Sequence, residues 1–238
     1  MQIKDLHPWD IQPHLAIELQ QRLAKQIRIK AISGRIRFVA GLDCSFDERR
    51  NLIFAAVAVL DIETMKLVEQ AYAVSKIQFP YIPGLLSFRE APAMLKACSL
   101  LETEPQLVLV DGQGIAHPRR LGIASHIGLC LAKPTIGCAK AILIGNARVP
   151  GRQKGCYTTL TDPKTGQVIG AAVRTRTDVR PVYVSPGHRC DLADAIRWTI
   201  RCTTCYRIPE PIRLAHQGSG RFKASWAQKG LAGPIYRC

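Results

Sequence analysis

Three acids stand where an isolated carboxylate has little to gain: Asp43 in "IRFVAGLDCSF", Glu90 in "PYIPGLLSFRE" and Asp111 in "QLVLVDG". The first and third runs read as buried strands, so each charge would be held in or beside a core. Carboxylates gathered in a crevice repel one another, and a divalent ion relieves that repulsion. Oxygen-only donors suit Mg²⁺ or Mn²⁺ rather than zinc. Two such ions roughly 3.5–4 Å apart activate a water and stabilise the leaving oxygen when a phosphodiester is hydrolysed. Each acid also has an ordinary use. Asp43 could face solvent, and Asp111 could simply favour a turn with Gly112. Glu90 could close an S-x-x-E capping box with Ser87. That box starts a helix at Phe88 and encloses Pro92, where proline costs about 3 kcal/mol. Glu90 is therefore expected just before the helix.

A second chemical feature precedes Glu90. In Pro-Tyr-Ile-Pro, residues 80 to 83, each proline fixes its own φ and pushes the residue before it toward an extended conformation. Tyr81 is thus held on a stiff loop. It either caps the core or is aimed at something outside the protein.

These side chains need a frame. A chain of 238 residues with 47% hydrophobic content can bury a full core, and one domain is the default at this length. A helical pattern runs over 10–33 and ends at Gly34. Three apolar runs follow, at 36–46, 52–62 and 66–77, with links short enough for an antiparallel meander. Ala91, Met94, Leu95, Cys98 and Leu101 keep helical spacing. The strand "QLVLVDG", the helix "LGIASHIGLCLA", the strand "PTIGCAK", a pair of strands around "TDPKTGQ", the strand "RPVYVSPGHR" and the helix "DLADAIRWTIRC" complete the order. Three meandering strands followed by helix, strand, helix and strand is the order of the ribonuclease H-like fold, a mixed sheet flanked by helices. Its first and fourth strands are neighbours, which would bring Asp43 and Asp111 together. Residues 1–218 are read as one ribonuclease H-like domain, and 219–238 as a basic, loosely ordered tail.

Lys and Arg number 33 against 18 Asp and Glu, a formal charge of +15, which points to polyanionic partners. The basic residues are scattered, and no run is apolar enough to span a bilayer. "MQIKDLHPWD" does not read as a secretion signal. A cytoplasmic monomer that meets no membrane is expected. Most of the nine cysteines sit singly in apolar segments as small hydrophobes. The lone C-x-x-C, Cys202 to Cys205, lacks a second pair at zinc-site spacing.

"GLDCSF", "PYIPGLLSFRE", "VLVDGQGIAHPRRLGIASHIG", "PTIGCAK" and "GHRCDL" together resemble endonuclease V, the deoxyinosine-specific repair nuclease, in order over residues 36 to 216. The resemblance implies a Mg²⁺-dependent enzyme, with Mn²⁺ substituting, that cuts the second phosphodiester bond 3′ to a deaminated adenine in DNA or RNA. It leaves 3′-hydroxyl and 5′-phosphate ends. By the same resemblance Asp43, Glu90 and Asp111 are the metal acids, Lys140 stabilises phosphate charge, and His216 lies near the metals. Tyr81 becomes the wedge inserted where the damaged base leaves the stack, and Gly84, Gly112 and Ile123 line the base pocket. The chain departs from the pattern at Gln113, where the family usually has histidine, and at Ala141, where it is usually polar. A silent nucleic-acid-binding module would have lost an acid, and all three are present. Another ribonuclease H-like nuclease would not explain Pro-Tyr-Ile-Pro.

Overall fold

The computed structural model describes residues 1–229 and 235–237. The three apolar runs form β1 (Phe38–Asp47), β2 (Leu52–Asp61) and β3 (Leu67–Lys76), paired antiparallel in sequence order. β4 (Leu107–Asp111) lies parallel to β1, and β5 (Thr135–Ala139) parallel to β4. β6 (Tyr157–Thr161), β7 (Val168–Val173) and β8 (Val182–Pro186) extend the sheet antiparallel beyond β5. A short β9 (Ile235–Arg237) pairs with β3. The order is β6-β7-β8-β5-β4-β1-β2-β3-β9. The run from β5 to β3 within it has the expected ribonuclease H-like arrangement.

β2 shows why such strands read as continuous apolar runs. Ile53, Ala55, Val57 and Val59 join one core with α2 (Leu86–Ser99) and α3 (Ile123–Leu131). Phe54, Ala56, Ala58 and Leu60 join another with Ala215 and Phe222 of α5 (Glu210–Lys229). Alternate side chains point to opposite faces, and here both faces are covered. α4 (Leu192–Arg201) contributes Ala195, Ile196 and Trp198 to a further cluster, with Ala171 and Val173 of β7 and Val182 and Val184 of β8.

Three expectations are corrected. The first helix, α1, spans only Pro13–Ala24, not 10–33. Residues 27–32, "IRIKAI", alternate with period two rather than 3.6. Their backbone is taken up by the loop before α4 and by its first turn: the Arg28 carbonyl accepts from Arg189 N at 2.7 Å, and Ile32 N donates to Asp194 Oδ2 at 2.5 Å. Glu90 does not precede its helix. α2 begins at Leu86 and contains both Glu90 and Pro92. The buried face of Phe88, Ala91, Met94, Leu95 and Cys98 outweighs the local cost of proline, as tertiary packing commonly does. The segment from Ser219 is not a loose tail as far as Lys229, because α5 runs through it and buries Ser219 and Phe222.

α5 lies close against β1. A Cβ on Gly41 would fall 2.0 Å from the Pro211 carbonyl carbon, so glycine is what admits the first turn of the helix. Among the described residues no helix is long and apolar enough to cross a membrane.

Candidate active site

β1 and β4 pair in parallel up to Leu42 and Val110, which leaves Asp43 and Asp111 side by side at the ends of the paired stretch. Both share the side-chain parity of Gly41 and Leu109, the face that α5 covers. From α5, His216 Nδ1 meets Asp43 Oδ2 at 2.7 Å. The second Asp43 oxygen accepts from Cys44 N at 2.7 Å. Lys140 follows β5, whose Cys138 is in register with Asp111, and its Nζ donates to Asp111 Oδ2 at 2.5 Å. The histidine and the lysine thus reach the same two acids.

Glu90 joins them electrostatically. Burial pushes its carboxyl up to about 8, and the Asp43 and Asp111 charges add to the effect. Burial, then Asp111, raises Asp43 as well. Burial works against the Lys140 charge, but its bond to Asp111 and the nearby Asp43 prevail, and its ammonium titrates above its ordinary value. The five expected residues therefore form one centre, walled by apolar strands and open to solvent at the half-exposed Lys140 and at His216.

Among the described residues no three His, Cys, Asp or Glu side chains converge as a ready-made metal site. The donor chemistry nevertheless fits a hard divalent cation: three carboxylates, two of them with raised pKa values from burial and mutual repulsion. This has a measurable consequence for the protein in chelator. Unfolded, Glu90 ionises near its ordinary 4.5; folded, it does so near 8. Between those values the unfolded state binds fewer protons, so stability falls as pH rises. Glu90→Gln removes that penalty. Its gain in Tm over the parent is expected to be negligible near pH 4.5 and several degrees by pH 9, at about 2–4 °C per kcal/mol for a chain of this size. A gain that ignores pH would show that ionisation is not its origin.

Beside the acids lies a pocket of about 310 Å³. Tyr81 and Gly84 of one loop, Gly112 and Ile123, expected from three separate segments, all line it. Ser87 lines it one turn before Glu90, and Ala139 and Ala141 line it on either side of Lys140, so pocket and centre share walls. Tyr81 is 70% exposed and is not a core cap. Gly112 adopts φ +140°, and a Cβ there would meet Ile123 Cγ2 at 2.5 Å.

Sequence reasoning missed the residues that hold this loop. The Gly84 carbonyl accepts from His117 Nε2 at 2.9 Å, Arg119 Nη2 at 2.8 Å and Gln20 Nε2 at 3.0 Å. Burial keeps His117 neutral by lowering its pKa to about 4. Its presence with Arg119 in "GIAHPRR" was the available signal. Gln113 donates from Nε2 to the Ala141 carbonyl at 2.9 Å, tethering the loop after Lys140 to the strand end that carries Asp111.

A family model described as endonuclease V matches residues 18–217. The chain belongs to the endonuclease V family. It is 48% identical over 216 residues to the endonuclease V of Methanothrix thermoacetophila, covering 91% of this chain and 94% of that one. The solved endonuclease V of Streptomyces avermitilis superposes with a TM-score of 0.88 at 36% identity, over 95% of this chain and 100% of that one. Endonuclease V of Ciona intestinalis, solved in complex with a 23mer DNA containing an inosine followed by a ribo-adenosine, matches with a TM-score of 0.79 at 27% identity. It covers 90% of this chain and 99% of that one.

Proposed function

We propose that this endonuclease V acts on deaminated adenine and hydrolyses the second phosphodiester bond 3′ to it, with Mg²⁺ or Mn²⁺. One observation carries the reading: a pocket edged by an exposed, proline-flanked tyrosine shares its walls with the acid centre. The Ciona relative, solved with inosine-containing DNA, supports the choice of base.

Asp43, Asp111 and Glu90 would hold the divalent cations, which supply Lewis acidity toward the attacking water and the leaving oxygen. The chain's own groups do the rest. The pocket takes the base and thereby fixes which phosphate lies over the acids. Lys140 Nζ offers positive charge to the phosphate as negative charge builds on its oxygens. His216, held through Nδ1 by Asp43, keeps Nε2 free to hold or pass a proton. A water oxygen joins phosphorus while the bond to the 3′-oxygen breaks. The 3′-oxygen takes up a proton, and the phosphate stays on the 5′ side of the released end.

The test uses matched DNA and RNA oligonucleotides carrying inosine or adenine at one position. Cleavage is expected at the inosine-directed bond only, with Mg²⁺ and not with chelator. Cutting that ignores inosine, or that persists in chelator, would overturn the proposal. The two sugar series report which backbone the enzyme accepts.

A further inference from the structure

One wall of the base pocket has its hydrogen bonding decided from outside the pocket. Ser87, 2% exposed, lines it. Behind it, Ser87 Oγ meets His126 Nδ1 at 3.0 Å, His126 Nε2 meets His7 Nε2 at 2.7 Å, and His7 Nδ1 meets the Pro8 carbonyl at 2.8 Å. Both histidines are buried, against the rings of Trp9 and Phe88.

The direction of this chain follows from its far end. A carbonyl can only accept, so His7 Nδ1 carries the proton there. A neutral imidazole has one donor and one acceptor, which makes His7 Nε2 an acceptor and His126 Nε2 the donor to it. His126 Nδ1 must then accept, and the Ser87 hydroxyl donates to it. Running the chain the other way needs an extra proton on His7, and burial disfavours charge on both rings. With its only proton committed, the Ser87 hydroxyl can offer the pocket nothing but lone pairs.

Deamination turns N1 of adenine from an acceptor into an N–H donor. We propose that Ser87 Oγ accepts the N1–H of the deaminated base, and that His7 and His126 are positioning residues that hold the hydroxyl in the accepting state. This rests on the proposed function, in which that base enters this pocket. Adenine would bring a lone pair against a lone pair. Guanine also carries N1–H, so its rejection is left to the shape of the pocket.

The test measures binding of single-stranded oligonucleotides with inosine or adenine at one position, in chelator so that nothing is cut, beside a melting curve for each variant. Ser87→Ala is expected to lower the inosine-to-adenine affinity ratio about tenfold, the effect of one hydrogen bond of this kind. His7→Phe keeps a ring against Trp9 but frees His126 to donate to Ser87, and should lower the ratio as well. The double variant should lose no more than Ser87→Ala alone. An unchanged ratio in Ser87→Ala overturns the inference, as do losses that add in the double variant. Equal weakening of both oligonucleotides by His7→Phe would mark it as merely structural and overturn the positioning role. If His7→Phe does not fold, Ser87→Ala decides alone. A parent protein that does not prefer inosine would overturn the proposed function itself, and the reading of Ser87 with it.

Discussion

Asp43→Asn and Asp111→Asn are each expected to reduce inosine-directed cleavage by at least about 10³-fold, a rise in barrier of about 4 kcal/mol. Each substitution keeps the side chain's shape and removes one of the charges that would hold the divalent ions. Asp111→Asn also strips Lys140 of its ionic partner, and Asp43→Asn removes the carboxylate that His216 Nδ1 meets. Binding should survive in both, because the pocket that takes the base contains neither side chain. Fold should survive too, since one repelling carboxylate fewer remains among buried neighbours. Single-turnover cleavage set against affinity for the same oligonucleotide checks this. Cleavage within about tenfold of the parent, or affinity lost in step with cleavage, would sink the assignment of these acids to the metals.

Tyr81→Ala is expected to separate duplex from single-stranded substrate. An enzyme that reads one base must extrude it, at a cost of a few kcal/mol that is least where pairing is weak. An exposed ring on a stiff loop can fill the gap and stack on the neighbouring base, a contact worth about 1–3 kcal/mol. The loop is stiff for two reasons: its prolines, and the three donors gathered on the Gly84 carbonyl. A loop fixed beforehand loses little entropy when it inserts. Removing the ring should therefore weaken binding and cutting of inosine in duplex DNA by about tenfold or more, and harm single strands less. Tyr81→Phe should be nearly neutral, because the ring and not the hydroxyl does the stacking. Equal losses on both substrates with a lowered Tm would falsify the wedge.

Much of this was legible in the sequence because the decisive residues sit in segments with simple patterns. β1, β2 and β4 are apolar runs bounded by turns, and the adjacency of β1 and β4 follows from the order of elements. Asp43 and Asp111 could be paired on that ground alone. Glu90 is legible as a neighbour of the site but not as part of α2, because the local penalty of Pro92 says nothing of the core that overrides it. α5 is obscured for a related reason. Ile212, Ala215, Ser219, Phe222 and Trp226 keep helical spacing, but Gly218 and Gly220 interrupt the composition. Gly218 is there for packing: a Cβ would stand 2.9 Å from the Tyr72 ring. The hydrogen bonds on Gly84 and the chain from His7 to Ser87 join segments far apart in sequence, and no local pattern announces them.

The docking of α5 on β1 bears on how the molecule folds. His216 and Asp43 are 173 residues apart, and Ser219 bonds Ser45 across 174. Closing such a loop costs only about 2.5 kcal/mol more than closing a ten-residue one, at about 0.6 kcal/mol per doubling of length. Distant contacts nevertheless slow folding, because that entropy is lost before the contact can repay it. The β1–β3 meander can form from near neighbours in the chain, whereas the seat for Pro211 at Gly41 exists only once β1 is in place. Helix α5 is then expected to dock late, and with it the imidazole beside Asp43. A molecule lacking α5 would carry Asp43 without His216, so docking of this helix is expected to complete the catalytic centre.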